Sequence, residues 1–197
     1  LVRADLIVAN GLHLEGKLAE LLERIGRKRP FVAVGEAVPQ DELLPIGNGL
    51  FDPHIWFDAK LWSYCPFAVA DALIQLDSEA ASHYQHRAEK YSQDLLELDE
   101  SVRKKFNEIP RRRRVLITAH DAFRYSGRAY GLEVIGVQGT STESEAGLAD
   151  MNQLVDLVVR RRIPAVFVET SVSDRNVTAL IEGASARGHI VRLGGRL

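Results

Sequence analysis

Apolar positions along the chain follow two rhythms. Short β-branched runs recur as DLIVAN (5–10), FVAVGEAV (31–38), VLITAH (115–120), LEVIGVQG (132–139), PAVFVETS (164–171) and HIVRLGG (189–195), and each reads as a strand. Between them the apolar residues step by three and four. Leu12, Leu14, Leu18, Leu21, Leu22 and Ile25 predict a helix closed by Gly26 and the positive charge of Arg27 to Arg29. Further helices are predicted over 122–130, 148–162 and 174–187, while Pro39 to Asp52, with Pro45, Gly47, Asn48 and Gly49, reads as loop. Strands alternating with helices predict an α/β fold built on mostly parallel sheet, covered by helices on both faces.

Two helical segments break this alternation. Leu61, Trp62, Cys65, Val69, Leu73 and Leu76 mark one apolar stripe over 59–76, and Pro66 inside it predicts a kink or break near Tyr64. After Asp77-Ser78, an N-cap candidate, Ala81, Tyr84, Ala88, Tyr91, Leu95, Leu98, Val102, Phe106 and Ile109 form the longest periodic stretch, which Pro110 ends. About thirty residues at ~1.5 Å each make a helix roughly 45 Å long. Such a helix exceeds the diameter of a small domain and suits a connection along two lobes.

Composition narrows the classes without choosing among them. The 197 residues are 46% hydrophobic and 26% charged, a globular profile that excludes disordered and fibrous chains. A net charge of −2 and a pI of about 6.3 give no global pull toward nucleic acid or an anionic membrane. The basic run Arg111 to Arg114, beside Pro110, reads as a solvated loop. Cys65 is the one cysteine, so a disulfide within the chain and a multi-cysteine zinc site are both excluded. Apolar runs fall far short of the ~20 residues that span a bilayer. LVRADLIVAN opens the chain as if one element were running into a strand, the expectation for a piece of a longer protein.

In open parallel sheets, ligands bind beyond the carboxyl ends of strands, so polar residues that end strands are the candidates. His120 ends VLITAH, and His54 follows a strand and a loop in FDPHIWFD (51–58). Two imidazoles at matching strand ends suit a nitrogen-rich site for zinc, manganese or iron, and they equally suit two hydrogen-bonded structural residues. Asp52, Asp58 and Asp121 are candidates to accept a histidine's second ring hydrogen, and Glu169 ends PAVFVETS at the favourable edge as a ligand, a supporting carboxylate or a cleft charge. His13, His83 and His86 read as surface residues, and His189 begins a strand at the opposite edge. Cys65 lies on an apolar stripe and reads as buried, and neither a nucleophile elbow nor a phosphate loop is present.

NGLHLEGKL, FDPHIWFDAKLW, VLITAHDAFRYSGRAYGLEVIGVQGTSTESEAG and VFVETSVS together resemble the zinc- and manganese-binding extracytoplasmic substrate-binding proteins of ABC transporters, the cluster A-I metal receptors. The resemblance is colinear to the final LGGRL and implies two β/α lobes joined by one long rigid helix. Residues 1–77 would be a partial N-terminal lobe, 78–110 the connecting helix and 111–197 a C-terminal lobe lacking its last segment.

The resemblance also implies one divalent metal held by four side chains, two per lobe. His54 matches the histidine of the DPHxW motif and His120 that of TAHDAF, while the first ligand would lie upstream and an aspartate downstream. The full-length protein is therefore expected to capture zinc, manganese or iron outside the cytoplasmic membrane and pass it to an ABC permease, without chemical turnover. The 197 residues alone would hold metal weakly or not at all. The implied location is the periplasm or the outer face of the membrane, reached through a lipid anchor or the permease. The implied form is a monomer with no nucleic-acid partner, and some receptors of this kind also act as adhesins. The alternative is a metal-dependent hydrolase in which His54, His120 and a carboxylate hold a metal-bound water, with Asp121 or Glu169 as base.

Overall fold

A computed structural model describes residues 3–139, 148–170 and 172–197. The chain divides into two compact units, Leu1–Lys105 and Phe106–Leu197, with the division falling inside its longest helix. The predicted polar loop 140–147 lies outside the described residues.

In the first unit, β1 (Ile7–Ala9) pairs in parallel with β2 (Phe31–Ala33), Val8 opposite Val32. The connecting helix is shorter than its apolar spacing predicts. Leu12 and His13 hold φ of +52° and +63°, in the left-handed region, so no right-handed helix can pass through them. A single 3₁₀ turn follows, and α1 begins only at Ala19 (Ala19–Gly26). FVAVGEAV is likewise only half strand. After Ala33 the chain turns into a 3₁₀ helix, Val34–Ala37, because the Gly35 N–H donates to the Asn10 carbonyl at 2.7 Å. A Cβ at Gly35 would lie 2.7 Å from that same oxygen, so the close approach requires glycine.

The segment read as loop contains a hairpin, β3 (Pro45–Gly47) with β4 (Leu50–Phe51). Its two-residue turn is Asn48-Gly49, with φ of +51° and +73°, the left-handed pair that primed hairpin turns demand. This hairpin delivers the chain to Asp52. Beyond it, α2 (Ala59–Trp62) and α3 (Cys65–Leu76) are separate helices, and Pro66 sits in the first turn of α3, where its missing N–H costs nothing. The break near Tyr64 is thus as predicted. Asp77 accepts from the Ala80 N–H at 3.3 Å and starts the last helix of the unit.

That helix, α4, runs Ala81–Asn107. Its buried line is Ala88, Ser92, Leu95 and Asp99, whereas Tyr91 and Leu98 are each 50% exposed. Ala88 and Leu95 of the predicted stripe are covered, but the buried line leaves the stripe at Tyr91 and Leu98 for their neighbours Ser92 and Asp99. Asp99 is buried with its charge met by Arg103, whose guanidinium donates at 3.1 and 3.2 Å.

The second unit is the cleaner α/β body. It comprises β5 (Val115–His120), α5 (Arg124–Tyr130), β6 (Glu133–Gln138), α6 (Leu148–Arg160), β7 (Ala165–Val168), α7 (Arg175–Ala186) and β8 (Arg192–Arg196). β5 pairs with β6 and β7 with β8, both in parallel. One face of the strands packs Ile117, Ala119, Val137 and Val166 against Val155 and Val158 of α6 and Leu180 and Ala184 of α7. The last strand starts at Arg192, later than HIVRLGG suggests, and His189 instead bonds the Ile163 carbonyl at 2.8 Å. Arg114 departs from the solvated-loop reading of its arginine run. Its side chain donates to the Ile109 and Asn107 carbonyls at 2.7 and 3.3 Å and closes the C-terminal end of α4. Among the described residues, no helix is long and apolar enough to cross a membrane.

Candidate metal site

In the first unit, His54 is 6% exposed and Asp52 fully buried. The Asp52 Oδ1 accepts from the His54 backbone N–H at 3.0 Å and lies 2.7 Å from its ring Nδ1. A carboxylate only accepts, so Nδ1 carries the proton and the lone pair is left on Nε2, the atom a metal would use. Neighbours fix the ring and the backbone that bears it. Trp56 meets the imidazole edge-on at 5.3 Å, and Asn10 Nδ2 donates to the Pro53 carbonyl at 3.1 Å. Asn10 is itself held by Glu15, whose Oε1 accepts the Asn10 N–H at 2.7 Å and whose Oε2 accepts the Gly11 N–H at 3.2 Å. Asp58 caps α2, accepting from the Lys60 and Leu61 N–H groups at 3.1 and 3.3 Å.

The second unit repeats the device with different residues. His120, 3% exposed, ends β5; its backbone N–H donates to Glu169 Oε1 at 3.1 Å, and its Nδ1 lies 2.6 Å from Glu169 Oε2. Glu169, 8% exposed, stands directly after β7. The supporting carboxylate thus comes from 49 residues away here, against two for Asp52 and His54. Thr118 Oγ1 donates to the His120 carbonyl at 2.8 Å, so the strand end is tied on both sides of its peptide. Asp121 lies 3.8 Å from Arg124 Nε at a partly exposed position, where solvent screens the pair.

Each unit therefore presents one buried imidazole beside one buried carboxylate: Asp52 bonds the His54 ring and backbone together, and Glu169 bonds the His120 backbone and lies in ion-pair range of its ring Nδ1. Such braces fix tautomer and rotamer before any ligand arrives, which is how metal-binding histidines are supported. Among the described residues, no three His, Cys, Asp or Glu side chains form a group that could hold an ion. Asp52 and Glu169, two of the four carboxylates singled out from sequence, are the ones that lie against His54 and His120. Sequence reasoning missed Asn10 and Glu15, although Asn-Gly followed by an acid four residues later is a legible turn-capping signal. Cys65 is buried, and burial pushes its thiol up to about 12.

The family of the zinc-uptake complex component A, periplasmic (ZnuA), matches residues 1–194. The chain belongs to this family. The manganese-binding lipoprotein MntA of Bacillus subtilis is 44% identical over 198 residues, covering all of this chain and 65% of that protein. The structure of the periplasmic zinc-binding protein TroA from Treponema pallidum is 47% identical and covers 98% of this chain and 70% of that one, with a TM-score of 0.94. A manganese ABC transporter substrate-binding lipoprotein, PsaA of Streptococcus anginosus, is 31% identical and is covered over 58% of its length. The chain thus spans 65% of MntA, just under two thirds. The fold is the two-lobed α/β architecture of TroA, with short parallel sheets and one long helix.

Proposed function

We propose that the full-length protein carrying this chain captures a divalent transition metal, zinc, manganese or iron, outside the cytoplasmic membrane and delivers it to an ABC permease. The observation that carries the reading is the repeated brace. Asp52 on His54 and Glu169 on His120 leave both Nε2 atoms as ready metal donors, one in each unit of a ZnuA-family chain. The metal is cargo, and no turnover is assigned to it. Support for the permease partner and the outward-facing location comes from relatives named as ABC transporter lipoproteins and periplasmic proteins. The chain covers 65% of MntA, so further ligands are assigned to the part of the protein that it does not span, and by itself it holds the ion weakly or not at all. The protein acts as a monomer. No observation favours the hydrolase alternative.

The test is metal analysis of the full-length protein followed by competition titration. One tightly held ion per molecule is expected, with affinity lost in both His54→Ala and His120→Ala. Unchanged affinity in both variants overturns the reading. Ester or phosphoester hydrolysis by the metal-loaded protein, abolished by His120→Ala, would replace it with the hydrolase.

A further inference from the structure

β5 and β6 run in strict parallel register, Thr118 opposite Gly136 and His120 opposite Gln138. Directly paired residues in neighbouring strands, ~4.8 Å apart, direct their side chains to one face of the sheet. Ile117, Ala119 and Val137 take the other face and enter the core. Gln138 therefore stands beside His120 on the non-core face, at the strand end where ligands bind. On that face Thr118 bonds the His120 carbonyl and Glu169 Oε2 lies 2.6 Å from the His120 Nδ1, while the Gln138 Oε1 is buried and accepts no hydrogen bond among the described residues. A buried carboxamide oxygen without a donor is unfavourable and calls for a missing partner. Among the described residues no cationic or hydroxyl side chain bonds it, and its neighbour across the ladder is the imidazole proposed above as a metal ligand.

Gly136 adds to the picture. A Cβ there would lie 2.5 Å from the Asp121 nitrogen and 2.6 Å from the Gln138 carbonyl. The chain leaving His120 thus folds back over Gly136 and brings the ligand loop close to the Gln138 backbone.

We propose that Gln138 is a specificity-determining residue of the metal site, its Oε1 supplying an oxygen contact to the cation held by His120 or to a water on that cation. The proposal rests on the metal-capture reading above. A neutral carboxamide oxygen is a hard donor. It favours manganese, which takes oxygen ligands and higher coordination, over zinc, which is satisfied by a four-coordinate nitrogen-rich shell. Gln138 thereby bears on a question that the manganese-binding and zinc-binding relatives leave open.

The experiment compares Gln138→Leu, Gln138→Glu and His120→Ala in the full-length protein, by competition titration with Mn²⁺ and with Zn²⁺ and by urea unfolding without metal. Gln138→Leu should weaken manganese about tenfold or more, the scale of a supporting contact, and zinc by less than about threefold. The same change should raise resistance of the metal-free protein to urea, because the unpaired acceptor is gone. Gln138→Glu, which keeps the oxygen, should retain manganese. Equal losses for the two metals, no loss for either, or a metal-free Gln138→Leu protein less stable than wild type would overturn the proposal, provided His120→Ala abolishes binding. If His120→Ala leaves both affinities unchanged, the metal-capture reading itself fails.

Discussion

Asp52 gives the sharpest test of the brace. Its Oδ1 holds two hydrogen bonds from His54, 3.0 Å from the backbone N–H and 2.7 Å from the ring, and no part of Asp52 is exposed. Asp52→Asn keeps the shape and removes the charge. Hydrogen bonds to a charged acceptor contribute about 1.5–3 kcal/mol each against about 0.5–1.5 for neutral ones. Two such bonds therefore lose roughly 2–3 kcal/mol in total, shared between the folding of the first unit and the orientation of the imidazole. The share that reaches the metal is set by the known cost of losing a carboxylate behind a ligating histidine, about 10–100-fold in affinity, or roughly 1.4–2.7 kcal/mol. That range fits inside the structural total. The assay is competition titration of the full-length protein with a chromophoric chelator, with urea unfolding of the metal-free form in parallel. Asp52→Ala should unfold earlier than Asp52→Asn, since it leaves two buried donors without an acceptor. An Asp52→Asn affinity within about twofold of wild type, in a protein where His54→Ala abolishes binding, would refute the argument that the carboxylate prepares the ligand.

Glu169→Gln should reproduce the effect in the second unit, an affinity loss of about 10–100-fold read by the same titration, because Glu169 bonds the His120 backbone N–H and lies 2.6 Å from its ring Nδ1. Gly136→Ala should destabilise by about 1–3 kcal/mol in urea unfolding, since the atoms it would strike, the Asp121 nitrogen and the Gln138 carbonyl, are backbone and cannot swing aside. Cys65, 3% exposed with its thiol pushed up to about 12, should resist thiol reagents at pH 8 until the protein unfolds. Between the ordinary thiol value of 9.0 and about 12 the folded chain keeps a proton that the unfolded chain releases, so stability falls as pH rises through that window. The unfolding free energy from urea titrations between pH 8.5 and 10.5 should decline by up to about 1.4 kcal/mol per pH unit, a slope that Cys65→Ala removes.

Local chemistry accounts for what could be read along the chain. Pro66 separates α2 from α3 because a proline ring fits only a first helical turn, Asp77 starts the following helix by accepting an N–H, and Pro110 lies just beyond its end. These outcomes depend on dihedrals and near neighbours, which the residues themselves carry. The same holds for His54, whose supporting Asp52 is two positions away. Where contacts are long-range, spacing fell short. Leu12 and His13 look helical by pattern, yet sit at positive φ in a turn whose backbone Glu15 and Gly35 hold. The buried face of α4 keeps Ala88 and Leu95 of the predicted stripe but takes Ser92 and Asp99 in place of the more apolar Tyr91 and Leu98, because burial is decided by what lies against a helix as well as by its own stripe. His120 could be placed at a strand end from sequence. Glu169 could be put at a strand end too, but its pairing with His120 was one option among several, since the contact exists only once β5 and β7 have folded near one another. The sequence by itself singled out His54 and His120 as the imidazoles to test as metal ligands. Tertiary structure chose the carboxylate that orients His120 and set Gln138 beside it, because strand register brings together residues that the chain keeps apart.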